Sequence, residues 1–167
     1  AGADVFTADA PFATLDPVTR RVGSGTAESF LLTDTVGFMQ KLPTQLVSAF
    51  KATLEELNTA DLLLHVVDAT STAVAAQHAT VLRTLDDLGL SEVPMLTVLN
   101  KADGVLRTDG QPVTGEDDLG ALPLPELPGM AADYCYTSAT EGWGIDELRK
   151  RLLYEFFGAT LEALPVS

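Results

Sequence analysis

VPMLTVLNKAD (93–103) is a short, almost wholly apolar run that breaks off sharply at Asn100, Lys101, Ala102 and Asp103. An apolar run of this length is the signature of a strand buried on both faces of a parallel sheet. DLLLHVVDA (61–69) upstream reads the same way, and DYCYTSA (133–139) downstream reads as a third short strand. Between the first two, residues 73–88 carry Val74, His78, Val81, Leu82, Leu85 and Leu88 at helical spacing, with Gly89 as the stop. GIDELRKRLLYEFF (144–157) predicts a closing amphipathic helix. Strands alternating with helices imply an α/β fold, a parallel sheet covered by helices on both faces. Such sheets bind ligands beyond the carboxyl ends of their strands, where the polar residues Asp34, Asn100 and Ser138 fall.

The N-terminal part is organised differently. Residues 1–16 read as irregular, with Pro11 and Pro17 as breakers. TRRV (19–22), GSG (23–25) and ESFLLTD (28–34) predict a β-hairpin around a glycine-rich turn. Beyond DTVGF (34–38), Thr44 is a plausible N-cap beside Pro43, for a helix whose apolar positions are Leu46, Val47, Phe50, Leu54 and Leu57. Residues 104–130, rich in Gly, Pro and Asp, read as a long surface excursion.

At 167 residues, 46% hydrophobic and 20% charged, the chain has the material for one domain with a core and too little charge for disorder. Ten basic residues against 24 acidic ones give a net charge of −14, which repels phosphate backbones at long range. Direct nucleic-acid binding by this segment is therefore not expected. The single cysteine, Cys135, excludes an internal disulfide and fits a reducing compartment. The opening AGADVFTADAPF lacks the basic and apolar regions of a signal peptide, and no apolar run approaches the roughly 20 residues of a membrane span.

Four short motifs carry chemistry. In NKAD, the Asp103 carboxylate can accept from the N1–H and exocyclic amino group of guanine, a donor pair that adenine lacks. Asn100 can bridge loops, the Lys101 stem can lie along a purine plane, and Ala102 completes the turn. In DTVG, Asp34 can hold a Mg²⁺-bound water, and Thr35, Val36 and Gly37 bring backbone close to a γ-phosphate. In TSAT (137–140), the backbone N–H groups of Ser138, Ala139 and Thr140 can meet a guanine O6. In FATLDP (12–17), Thr14, flanked by Phe12, Ala13, Leu15 and Asp16, can ligate Mg²⁺ when a γ-phosphate is present. Alone, NKAD and DTVG also read as ordinary turns after a strand, TSAT as a Ser/Thr helix-entry loop, and Thr14 as a loop threonine. Their shared order and placement at strand ends or in loops point to a guanine-nucleotide site with Mg²⁺.

FATLDPVTRRV, LLTDTVGFMQKLPTQLVSAFKATLEEL, ADLLLHVVDAT and LTVLNKAD together resemble the HflX family of GTPases. The likeness covers nearly the whole chain, with least support in 104–130. It implies a small-GTPase-type, P-loop NTPase-like three-layer sandwich that binds GTP or GDP with Mg²⁺. It also implies association with the large ribosomal subunit, in splitting or rescue of ribosomes, in bacterial cytoplasm or an organellar stroma. The family's phosphate loop, G-x-x-x-x-G-K-[ST], has no counterpart in these 167 residues. The expectation is an incomplete GTP-binding domain over 1–158, starting shortly after that loop and its strand, and a truncated C-terminal segment over 159–167. Phe38 stands where Ras-like enzymes place the water-orienting Gln, so no catalytic residue is assigned. Two alternatives stay open: a non-catalytic interaction module on a GTPase scaffold, and an Obg-type assembly GTPase.

The remaining polar residues invite plain readings. His65 reads as a satisfied strand residue and His78 as half exposed. Trp143 reads as packing, GEDD (115–118) as a solvated loop, and Arg20 and Arg21 as a solvated strand face. Two histidines and one cysteine make no credible transition-metal site.

Overall fold

The computed structural model describes residues 18–23, 29–34, 57–127 and 133–158. FATLDP up to Pro17, the DTVG motif beyond Asp34, Phe38, the helix expected after Pro43 as far as residue 56, and 159–167 lie outside the described residues. The chain divides into two compact units, residues 1–59 and 60–167.

In the first unit, β1 (Val18–Gly23) and β2 (Ser29–Asp34) pair antiparallel, Val18 opposite Asp34 and Gly23 opposite Ser29. This is the expected hairpin. The Thr19 and Thr33 hydroxyls bond across it at 2.8 Å, and Arg21 Nη1 donates to Ser29 Oγ at 3.0 Å, so Arg21 braces the ladder rather than only facing water.

The second unit holds a parallel sheet in the order β3-β4-β5, formed by Leu63–Asp68, Met95–Asn100 and Tyr134–Tyr136. The registers run from Leu63 opposite Met95 to Asp68 opposite Asn100, and from Thr97 opposite Tyr134 to Leu99 opposite Tyr136. As the middle strand, β4 is covered on both faces; Leu96, Thr97, Val98 and Leu99 are all buried. Its apolar run is therefore a consequence of position. Val67, Leu99 and Leu127 form a core with Ala69, Val74, Tyr134 and Tyr136 against it.

Helix α1 (Val74–Asp87) joins β3 to β4. Ser71 Oγ accepts the Ala73 N–H at its start, and Gly89 turns left-handed (φ +71°) just past its end. Helix α2 (Ile145–Phe157) follows β5, burying Leu152 and Leu153; Arg151 ties it to β5 by donating to the Tyr134 carbonyl at 2.8 Å.

Three sequence expectations are corrected here. Residues 104–127 are not merely a surface excursion, because Val113 and Leu122 are buried with Ala102 and packed by Val105, Leu119, Tyr136 and Trp143. Within this loop GEDD is structural. Glu116 accepts the Gly144 N–H at 2.8 Å, and Asp118 accepts from Arg107 at 2.7 Å and from the Thr114 N–H at 2.8 Å. His78 is not half exposed but fully buried. It stacks on His65 with ring centroids 4.9 Å apart, and their Nδ1 atoms lie 3.1 Å apart, so one ring donates to the other.

That pair sets an acid limit. Burial, helped by the charge of His78, pushes the His65 pKa down to about 4 from 6.5. An unfolded His65 takes its proton near 6.5, so the unfolded state binds more protons between the two values. The contribution is complete above pH 6.5 and is lost as pH falls towards 4. Melting temperature is expected to drop across that window in the wild type and to drop less in His65→Gln; identical profiles would disprove the assignment.

Candidate guanine-nucleotide site

Parallel pairing brings the carboxyl ends of β4 and β5 to one edge, so the turns that follow them meet. Lys101 turns the chain there with φ 65°, the one left-handed non-glycine among the described residues. Ala102 then enters a short 3-10 turn, Ala102–Gly104, fully buried, its N–H donating to the Thr137 carbonyl at 3.0 Å. A larger side chain would separate the two loops.

Asn100 supplies the side-chain bridge. Its Oδ1 accepts the Ala139 N–H at 3.1 Å and the Thr137 hydroxyl at 3.2 Å. Ser138, fully buried, donates its hydroxyl to Asp103 Oδ1 at 2.6 Å and its N–H to the Trp143 carbonyl at 2.9 Å. The same hydroxyl accepts the Glu141 N–H and lies 3.3 Å from Thr140 Oγ1. Asp103 is thus an exposed carboxylate oriented through one oxygen by a buried serine. An anchored acceptor of this kind suits a ligand edge with two adjacent N–H donors.

Sequence reasoning missed Asp68. It ends β3 opposite Asn100, and its Oδ2 pairs with Lys101 Nζ at 2.8 Å. Burial alone would raise its pKa, but the Lys101 bond, two bonds from Thr70 and the Lys101 charge hold the carboxyl below the usual range. The available signal was positional: parallel neighbours that end together place Asp68 beside the NKAD turn.

The structure therefore brings together Asn100, Lys101, Ala102, Asp103, Ser138, Ala139 and Thr140. Asp34 stands in the other unit, exposed at the end of β2. Phe12, Ala13, Thr14, Leu15, Asp16, Thr35, Val36 and Gly37 lie outside the described residues. Among the described residues no three His, Cys, Asp or Glu side chains cluster as a metal cage. A single exposed carboxylate such as Asp34 suits a Mg²⁺ that arrives with phosphate and water ligands of its own.

A parallel sheet with polar turns at its carboxyl edge is consistent with a GTPase-type α/β domain, and the chain belongs to the family described as 50S ribosome-binding GTPase, which matches residues 1–101. Within that family its relatives are of the HflX type. It is 50% identical over 102 residues to GTPase HflX of Caldanaerobacter subterraneus, covering 61% of this chain and 24% of that one. It is 40% identical over 147 residues to GTPase HflX of Akkermansia muciniphila, covering 88% and 32%. The chain thus spans about a quarter to a third of these curated relatives. Among solved structures, a GTP-binding protein from Sulfolobus solfataricus in complex with GDP matches with a TM-score of 0.62 and 26% identity, over 84% of this chain and 45% of that one. The small-GTPase-type α/β fold expected from the sequence is the fold of this family. No helix among the described residues is long and apolar enough to cross a membrane.

Proposed function

We propose that this chain carries the base-reading part of the GTP-binding domain of a ribosome-associated HflX-type GTPase. The observation that carries the reading is the Ser138–Asp103 hydrogen bond, set between loops that Asn100 ties together. Asp103 accepts from the guanine N1–H and amino group. Ser138, Ala139 and Thr140 offer backbone to O6, and the Lys101 stem lies along the base. By their motifs, Asp34, through water, and Thr14 are assigned to the Mg²⁺ that accompanies the nucleotide and offsets phosphate charge, and Phe12, Ala13, Leu15, Asp16, Thr35, Val36 and Gly37 to the phosphates. A phenylalanine at position 38 cannot orient water by hydrogen bonding, so hydrolysis is slow until a partner supplies the missing group.

The partner is the large ribosomal subunit, with RNA contacts made outside this acidic segment, in bacterial cytoplasm or an organellar stroma. These 167 residues contain no G-x-x-x-x-G-K-[ST] pattern, hence no such cradle of N–H groups and lysine for the phosphates. By itself this chain binds GTP weakly. Calorimetric titration with GDP and Mg²⁺, run on this chain and on the full-length gene product, tests the reading. Binding by the full-length protein alone, with GDP preferred over ADP, is expected. No binding by either sinks the proposal in favour of a non-catalytic interaction module.

A further inference from the structure

Asp68 is held from both sides. Its Oδ1 accepts the Thr70 N–H at 2.9 Å and the Thr70 hydroxyl at 2.6 Å, while Oδ2 meets the Lys101 ammonium at 2.8 Å. The Ala69 N–H donates to the Asn100 carbonyl at 2.8 Å, fastening the same strand ends. Thr70 also fits against Gly104, where an added Cβ would come within 2.7 Å of Thr70 Cγ2. The Asp68–Thr70 turn therefore grips the NKAD turn twice, by charge at Lys101 and by close contact at Gly104.

We infer that Asp68 is a positioning residue for the guanine site, drawing the Lys101 ammonium to the end of β3 and so fixing the four-carbon stem beside Asn100 and Asp103 as an apolar wall for the flat face of the base. The inference rests on the base-reading function proposed above.

Three observations support it. The side chains of the pair are 62% and 34% exposed, and an ion pair so open to water adds little to fold stability. Its consequence lies instead in the freedom of the lysine. A loose four-carbon stem must be ordered when a ligand packs against it, whereas a clamped stem is ordered beforehand. Second, the lysine backbone is left-handed and flanked by backbone bonds from the Ala69 N–H to the Asn100 carbonyl and from the Ala102 N–H to the Thr137 carbonyl, so the stem leaves the chain at a fixed place and Asp68 has only its far end to hold. Third, the carboxyl is held below the usual range, so the clamp is charged throughout the neutral range.

The test is equilibrium and stopped-flow binding of fluorescent GDP and ADP to the full-length gene product, as wild type, D68A, D68N, K101M and D68A/K101M. D68A is expected to weaken GDP binding about fivefold, the size associated with ordering one long side chain, mainly through a faster off-rate. D68N should fall between D68A and wild type, with the melting temperature unchanged. Added to K101M, D68A should cost nothing more, because its effect passes through Lys101. Wild-type affinity in D68A, or the same loss in the K101M background, overturns the inference while a GDP-over-ADP preference keeps the base-site reading intact. No such preference in the wild type overturns both. If D68A fails to fold, D68N carries the test, and a D68N that melts far below wild type makes Asp68 structural and overturns the inference.

Discussion

Asp103→Asn is expected to lose GDP and gain xanthosine diphosphate. The amide keeps an oxygen for the Ser138 hydroxyl, which meets Asp103 Oδ1 at 2.6 Å, and for the base N1–H. In place of the second carboxylate oxygen it presents an N–H, which faces the guanine amino group donor against donor. Xanthine carries an oxygen at that position and restores the pairing. Loss of a charge-assisted bond together with an unmet donor corresponds to about 3 kcal/mol, on the order of a 100-fold weaker GDP complex. Competition binding of the two diphosphates to the full-length protein measures the exchange. Loss of GDP without gain of the xanthine nucleotide would mean that Asp103 only braces the loops through Ser138.

Gly144→Ala is the largest destabilisation expected of a one-methyl change. Gly144 sits at φ +71°, and a Cβ there would lie 2.2 Å from the Tyr136 carbonyl oxygen, a backbone atom with no rotamer to yield. Its N–H is committed to Glu116 at 2.8 Å, and its carbonyl accepts the Leu148 N–H at 3.0 Å as α2 begins. The left-handed backbone alone costs an alanine about 1 kcal/mol, and displacing β5 brings the total to about 3 kcal/mol, or roughly 10 °C in Tm. Gly142→Ala is the control, with a similar φ of +77° and nothing within 4 Å of the added methyl. Thermal melts of the two variants separate strain from clash. Equal losses would show that no close approach exists at Gly144.

The parts of this molecule that were legible in the sequence share one property: their signal is local. The central β4 announces itself because burial on both faces permits only apolar residues, as the burial of Leu96 through Leu99 bears out. NKAD and TSAT were found because each sits directly after its strand, and the parallel register then forces them together. The illegible parts depend on partners distant in sequence. Val113 and Leu122, with the half-buried Leu119 packed against them, fall in 3-10 turns and extended segments without a fixed period, so their packing together is invisible until Trp143 closes over them. His78 was misjudged because a histidine on a helix is ordinarily wetted, whereas here its ring stacks on that of His65, on another element. Asp68 reads as any strand-ending aspartate until Lys101 turns back to it.

Trp143 is the chain's single tryptophan. Its ring packs on the sub-core of Ala102, Val113 and Leu122, and its carbonyl holds the Ser138 N–H. Its emission is therefore a native optical gauge of whether the base-binding loops are closed. Separation of those loops, by denaturant or by substitution, exposes the indole to water and shifts its spectrum to the red without any attached label.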